Sequence, residues 1–324
     1  MKRYHPSAEP PPFIQPRRNT VSEPSTQQVS AKPPPMLNHW GPHGWPRIKA
    51  HKSRTIGALQ SLRSGALLSE ELLRITSGLN VTAGFAELFS GVLSPLHYCV
   101  PAAEDGQRCV SFSEDRATEQ GHLLYGSATI GTRDQRPFVH SHLHWTDASG
   151  RLLAGHIWPE TVVGSPAPVA AVFGLLDVDW TSLDDPETSM PTFEPSRSLT
   201  KEPLMTDQHS SATVARVLPN QDITEAVLTV SREAGYTKAV VRAGLGSLIG
   251  ATLTDQRTGE VRYVTGPGTE VITLTGFVRM GAEGLETQLT TTLVDRNGQV
   301  HSGLLVPGKN PVAVTFELTI QTAL

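Results

Sequence analysis

Residues 137–156 read PFVHSHLHWTDASGRLLAGH, which sets His140, His142 and His144 at alternate positions before a tight turn and His156 beyond it. In a β-strand, side chains two apart share a face, so the first three imidazoles project together. Asp147-Ala148-Ser149-Gly150 has the pattern of a type I turn closed by glycine in the left-handed region, a three-residue hairpin loop with a bulge. Such a loop pairs Asp147 with Arg151, and counting back sets His142 opposite His156. Cross-strand partners on one face have side chains about 5 Å apart. His142 and His156 are therefore expected to face each other, with His140 diagonal to both. His140 and His144 are separated by roughly 13 Å of extended chain, too far to share one ion.

Three neutral imidazoles with an open fourth position suit zinc or another late first-row divalent metal. Such an ion polarises a carbonyl or acidifies water. His140, His142 and His156 are thus the candidate metal ligands, zinc is the expected ion, and His144 is a substrate-facing or catalytic candidate. The bland alternative is a hairpin that is merely rich in histidine. An internal repeat weighs against it.

Two segments look like copies of one unit, and repetition decides architecture. In the first, SEELLRITSGLNVTAGFAELFSG opens on Ser69 as N-cap with apolar residues at helical spacing. In the second, Asp222 opens the helical run ITEAVLTVSREAGY, Gly235 stops it and the strand KAVVRAG follows. HLHWTDASGRLLAGHI then aligns with QLTTTLVDRNGQVHSGLL, placing Asp147 on Asp295, Gly150 on Gly298 and Gly155 on Gly303. Both copies close on alternating strands, PVAAVFGLL and PVAVTFELTI. Every candidate ligand is replaced in the second copy: Gln288 for His140, Thr290 for His142, Thr292 for His144 and Leu304 for His156. His301 falls on the opposite face and does not compensate. The hairpin survives without its histidines, which suggests that the second copy serves assembly, pocket walls or substrate contacts.

Both copies resemble the PPC (plant and prokaryote conserved) domain. The resemblance rests on the helix leading into Ala243-Gly-Leu-Gly-Ser-Leu-Ile-Gly-Ala-Thr-Leu253, and on the hairpin residues His140, His142, Asp147, Gly150, Gly155 and His156. Asp185-Pro-Glu-Thr188 after the first copy also fits. It implies an α+β fold of two tandem domains, each a mixed, mostly antiparallel sheet with packed helices, assembled as a homo-oligomer with trimer-like packing. It also implies that the histidine cluster binds metal, as in single-domain prokaryotic relatives of bacterial type. Plant relatives bind AT-rich DNA through AT-hooks, but no Arg-Gly-Arg-Pro segment occurs here.

The boundaries that follow are a proline-rich arm over 1–46, a first domain over 47–180, a linker over 181–212 and a second domain over 213–324. The arm carries Trp40 and Trp45, so its second half is expected to dock on the folded body. A net charge of −4 over 324 residues, with scattered Lys and Arg, disfavours nucleic acid as a partner. Two cysteines, Cys99 and Cys109, are too few for a disulfide framework and suggest a reducing cytoplasm. No apolar run reaches the roughly 18 residues of a membrane span, and MKRYHPSAEPPP, with no apolar core behind its basic residues, is not expected to act as a secretory signal.

Glu160, four residues after His156, is a candidate general base, and Glu87 is a weaker one. Arg116, Arg133 and Arg136 precede the hairpin and are candidates to clamp a substrate carboxylate. Gly244-Leu-Gly-Ser-Leu-Ile-Gly250 lacks a lysine and follows a strand, so it reads as a bend in the sheet and not as a phosphate cradle. The sequence thus leads to a metal-dependent hydrolase or lyase/isomerase acting on a small carboxylate- or carbonyl-bearing metabolite. A non-catalytic ligand-binding or regulatory module with a structural metal is the rival, and a DNA-associated protein is disfavoured.

Overall fold

The structure, a computed structural model, describes residues 35–198 and 210–323. The first part of the proline-rich arm lies outside the described residues, as does the end of the expected linker. All the described residues belong to one compact unit.

The chain begins with β1 (Ile48–Ser61), α1 (Leu68–Gly78), β2 (Gly84–Phe89), β3 (Val92–Leu93) and β4 (Leu96–Cys99). Short strands β5 (Pro101–Ala102), β6 (Ser111–Phe112) and β7 (Arg116–Thr118) lead to β8 (Gly121–Arg133), β9 (Arg136–Thr146), β10 (Leu152–Ile157) and β11 (Val169–Leu175). Next come β12 (Val178–Asp185), β13 (Met190–Arg197), β14 (Ser210–Val217), α2 (Ile223–Glu233) and β15 (Lys238–Leu248). The chain ends on β16 (Ala251–Thr254), β17 (Val261–Val264), β18 (Thr269–Gly281), β19 (Gly284–Val294), β20 (Val300–Leu305) and β21 (Val312–Thr322).

Pairing reveals the repeat directly. In the first half the strands lie in the order β1-β11-β2-β8-β9-β10-β4-β7. In the second the order is β14-β21-β15-β18-β19-β20-β16-β17, again antiparallel throughout. Each half therefore uses one helix and the same eight strand positions. The two first strands pair with each other, Ile48 against Val217 through Thr55 against Ser210, and fuse both halves into one 19-stranded sheet.

Each helix covers one face of its half. In α1, Leu68, Leu72 and Ile75 pack with Leu143, Trp145 and Ile130; in α2, Ile223, Val227 and Val230 pack with Leu289 and Leu293. Because Leu143 and Trp145 alternate with the histidines, period two turns His140, His142 and His144 away from α1. The Nδ1–H of His142 reaches the carbonyl of Val271 on β18 at 2.8 Å, so that face lies against the second half.

Several expectations change. Among the described residues the helices are two, of 11 residues each, so the fold is strand-dominated where α+β with packed helices was expected. Ser69 does not cap α1; Leu67 occupies the N-cap with no side-chain bond. Asp222 does cap α2, accepting from the backbone N–H groups of Thr224 and Glu225. The stretch read as a linker from 181 holds the β12–β13 hairpin over most of its described length. Its polar, proline-bearing composition hid the buried residues Met190 and Phe193, and among the described residues β13 pairs only with β12, an edge where proline is tolerated. Residues 37–47 do dock, through Leu37 on Asn220, His39 on the Ala313 carbonyl and Arg47 on buried Glu187. Trp40 and Trp45 take no part in a core, being 61% and 78% exposed.

Candidate metal centre

The hairpin register agrees with the spacing argument. Gly150 has φ +82°, Asp147 and Arg151 are bonded across the loop, and His142 sits opposite His156. Gly155 precedes His156 because a Cβ there would lie 2.4 Å from the Cys99 carbonyl oxygen on β4. Only glycine lets β10 run that close to its neighbour.

One ring nitrogen each of His140, His142 and His156 lies within 4.8 Å of the other two. His140 Nε2 is 3.0 Å from His142 Nε2, and His156 Nδ1 is 3.3 Å from the same atom. The edge of a tetrahedron with 2.0–2.1 Å metal–nitrogen bonds is roughly 3.3 Å. The outer partners fix two tautomers. His142 Nδ1–H donates to the Val271 carbonyl, and His140 Nδ1–H donates to Glu317 Oε1 at 2.8 Å. Both Nε2 lone pairs therefore point at each other across 3.0 Å, an arrangement that needs a shared positive charge, a proton or a metal ion. Carboxylate and carbonyl partners on the far ring nitrogen are the usual outer support of a ligating histidine.

Two carboxyl groups from the second half complete the centre. Glu270 Oε2, from the start of β18, is 3.0 Å from His142 Nε2, and Glu317, from β21, holds His140. Both side chains are buried. Burial pushes Glu270 up to about 8, against the pull of His140 and with the help of Glu317. Burial, and next the neighbouring His140, sets His142 and His156 well below the ordinary histidine value. Burial also lowers His140, but the Glu317 carboxylate beside it outweighs that and holds it above. Two unprotonated rings and a nearby carboxyl are the donor set a divalent cation needs, so the residues present fit a metal.

The other candidates do not join this centre. His144 lies along Tyr125 on β8, ring centroids 6.3 Å apart, with its Nδ1 buried and unpartnered. Glu160 is exposed in a turn, because the strand ends at Ile157 and the alternation of faces ends with it. Arg116 on β7 is exposed and lines a separate groove with Asp147 and Ser149. Arg133 pairs with Asp184, and Arg136 sits across from it at the turn end of the β8–β9 hairpin. Guanidinium groups remain where water solvates them, so no carboxylate clamp forms at the histidines. Glu87 is buried but structural, accepting from Tyr125 and from Arg242 of the second half. The Gly244–Gly250 stretch is a bulged strand end, where Gly246 adopts φ +151° with a Cβ position 2.5 Å from the Thr315 carbonyl oxygen. Cys99 and Cys109 are both unpaired, and burial raises both thiols above the usual value.

Glu270 and Glu317 escaped the sequence reading. For Glu317 a signal existed: in the aligned closing strands it stands against Gly174, a charge where the first copy has none. Nothing local marked Glu270. Among the described residues no helix is long and apolar enough to cross a membrane.

Residues 206–324 match the family model of the Plants and Prokaryotes Conserved (PCC) domain, the family whose motifs the chain resembles. Similar solved structures include a metal-containing protein from Archaeoglobus fulgidus, 17% identical with TM-score 0.37 over 43% of this chain and 93% of that one. A plant- and prokaryote-conserved protein from Pyrococcus horikoshii is 12% identical, TM-score 0.37, over 44% and 94%. A candidate DNA-binding protein from Ralstonia eutropha JMP134 is 15% identical, TM-score 0.36, over 42% and 89%. No protein of curated function matches the sequence.

Proposed function

We propose that the chain is a metal-dependent enzyme whose ion is held by His140, His142 and His156 of the first half, with Glu270 of the second half beside the open fourth position. The observation that carries this reading is the pair of Nε2 atoms 3.0 Å apart, each ring oriented by a hydrogen bond on its far nitrogen. A divalent ion there would supply Lewis-acid polarisation of a carbonyl or acidification of a water. Burial keeps His142 and His156 unprotonated, Glu317 orients His140, and the surrounding chain excludes bulk water and presents Glu270 beside the reacting position. Among the described residues no arginine lines the cleft, which favours a carbonyl-bearing substrate over a carboxylate-bearing one. Hydrolysis and a lyase or isomerase step fit this equally.

Metal analysis of protein purified without a histidine tag tests the reading. About one equivalent in the wild type, falling below about a tenth in His142→Ala, is expected; an ion-free wild type that takes up no zinc refutes it. A second reading, a metal that serves only the fold, is favoured by the way the ligands and their supports span both halves of the sheet. Chelation would then lower the melting temperature, and no small carbonyl compound would be turned over in a metal-dependent way.

A further inference from the structure

Beyond the imidazoles the cleft between the halves opens into a pocket of about 150 Å³. Its walls are aromatic. Phe112 and Trp158 meet edge to face at 6.5 Å, each with its ring centroid within 5.2 Å of that of His156. Phe138 and Phe193 form a second pair at 5.7 Å. Met190 and Val314 add aliphatic surface, and among the described residues no lysine or arginine lines the space. Its polar groups gather mostly on the histidine side, as Glu270, Glu317, Ser247 and Thr315, with Ser182 on the wall opposite. Two of these are unfinished, since Glu317 Oε2 and Thr315 Oγ1 are buried with no hydrogen-bond partner. Buried polar atoms of this kind ordinarily have partners.

Volume, wall and charge restrict the occupant. A cavity of roughly 150 Å³ accepts one benzene-sized ring, and aromatic walls favour a ring through stacked or edge contacts. Glu270 and Glu317 together offset the charge of a divalent ion at the histidines, and no lysine or arginine lines the space among the described residues, so a ligand anion finds no surplus positive charge. A carboxylate oxygen only accepts when ionised, so Glu317 Oε2 calls for an O–H or N–H on the ligand. We propose that this pocket binds an uncharged compound with a single aromatic ring and a hydroxyl or amide donor on its edge, the ring between the aromatic pairs and the donor toward Glu317. The proposal rests on the metal reading only for the ion that faces the ring's polar edge.

Phenol, toluene and benzoate, titrated by calorimetry or ligand-observed NMR into zinc-loaded protein, test it. Phenol should bind saturably with a Kd of about 0.1–1 mM, in keeping with the efficiency of small ligands. Toluene, which lacks the donor, and benzoate, which carries the charge, should bind at least about tenfold more weakly, each by the loss of one matched contact. Pro191 stands exposed at the pocket rim, so Pro191→Trp should weaken phenol at least tenfold while zinc content stays unchanged. Benzoate binding as tightly as phenol, or no phenol binding with zinc present, overturns the proposal and leaves the metal reading standing. If the wild type takes up no zinc, the metal reading fails, and phenol binding to the ion-free protein decides this one: the same order of ligands upholds it, no binding overturns it.

Discussion

Replacing Glu317 by leucine separates a built metal centre from a histidine-rich seam. The Glu317 carboxylate is buried and accepts from His140 Nδ1–H at 2.8 Å, which leaves His140 Nε2 as an inward lone pair. Leucine removes that acceptor. The ring must then bury an orphaned N–H or take the other tautomer, which turns a hydrogen toward the ion. Losing such an outer partner costs roughly 10–100-fold in metal affinity, or about 1.4–2.8 kcal/mol. Glu317→Gln keeps an amide oxygen for the same N–H and loses only the charge, so its loss should stay near the lower end. Zinc affinity measured by competition with a chromophoric chelator should therefore rank wild type above Gln above Leu. The ion-free proteins, compared by near-ultraviolet circular dichroism, should keep their tertiary signal. A leucine variant that binds zinc within about twofold of wild type refutes the assigned tautomers and the argument built on them.

Three further perturbations address the frame around the centre. Glu71 is buried between Arg74 and Arg63, which hold its carboxyl down to about 2. Its stabilising contribution is present above the ordinary carboxylate pKa and is lost as pH falls from about 5 toward 2. Glu71→Gln should lose about 2 kcal/mol at pH 7, a figure reduced for the exposed Arg63 partner, and should flatten the urea stability curve over that pH window. Gly155→Ala drives a Cβ to 2.4 Å from the Cys99 carbonyl oxygen, whereas Gly303→Ala in the second copy meets the nearest atom at 3.1 Å. The first should cost about 1–3 kcal/mol in urea unfolding and the second less, and only the first should weaken zinc binding, through His156. Asp222→Ala removes the cap from two N–H groups of α2 and a bond from the Asn310 N–H. It should destabilise by about 1–2 kcal/mol without changing zinc content.

Local chemistry explains which features could be read in advance. A three-residue loop with a left-handed glycine sets strand register within a few residues, so the His142–His156 pairing needs nothing from the rest of the chain. The same holds for the Asp222 cap and for the repeat, whose turn residues recur at matching offsets. Where local pattern competed with tertiary context, the reading was less successful. Pro191 and Pro195 argued for a linker, yet an edge strand needs no N–H from either, and Phe193 had a core to enter beside Trp180. Trp40 and Trp45 suggested docking through apolar burial, but polar contacts by their neighbours hold the segment. Extending the alternation past Ile157 to Glu160 failed because the strand stops there.

The division at the metal centre is sharper still. Sequence alone determined that three histidines of the first copy gather on one sheet face and that the second copy has none, because strand period and turn geometry act over a few residues. Only the tertiary structure decided what faces those rings. Glu270, Glu317 and the Val271 carbonyl arrive from 128 or more positions away from the rings they touch, by way of the paired first strands. Whether a buried carboxyl meets an imidazole depends on how two sheets pack, and that packing follows from hydrophobic burial over the whole chain, which no local spacing encodes.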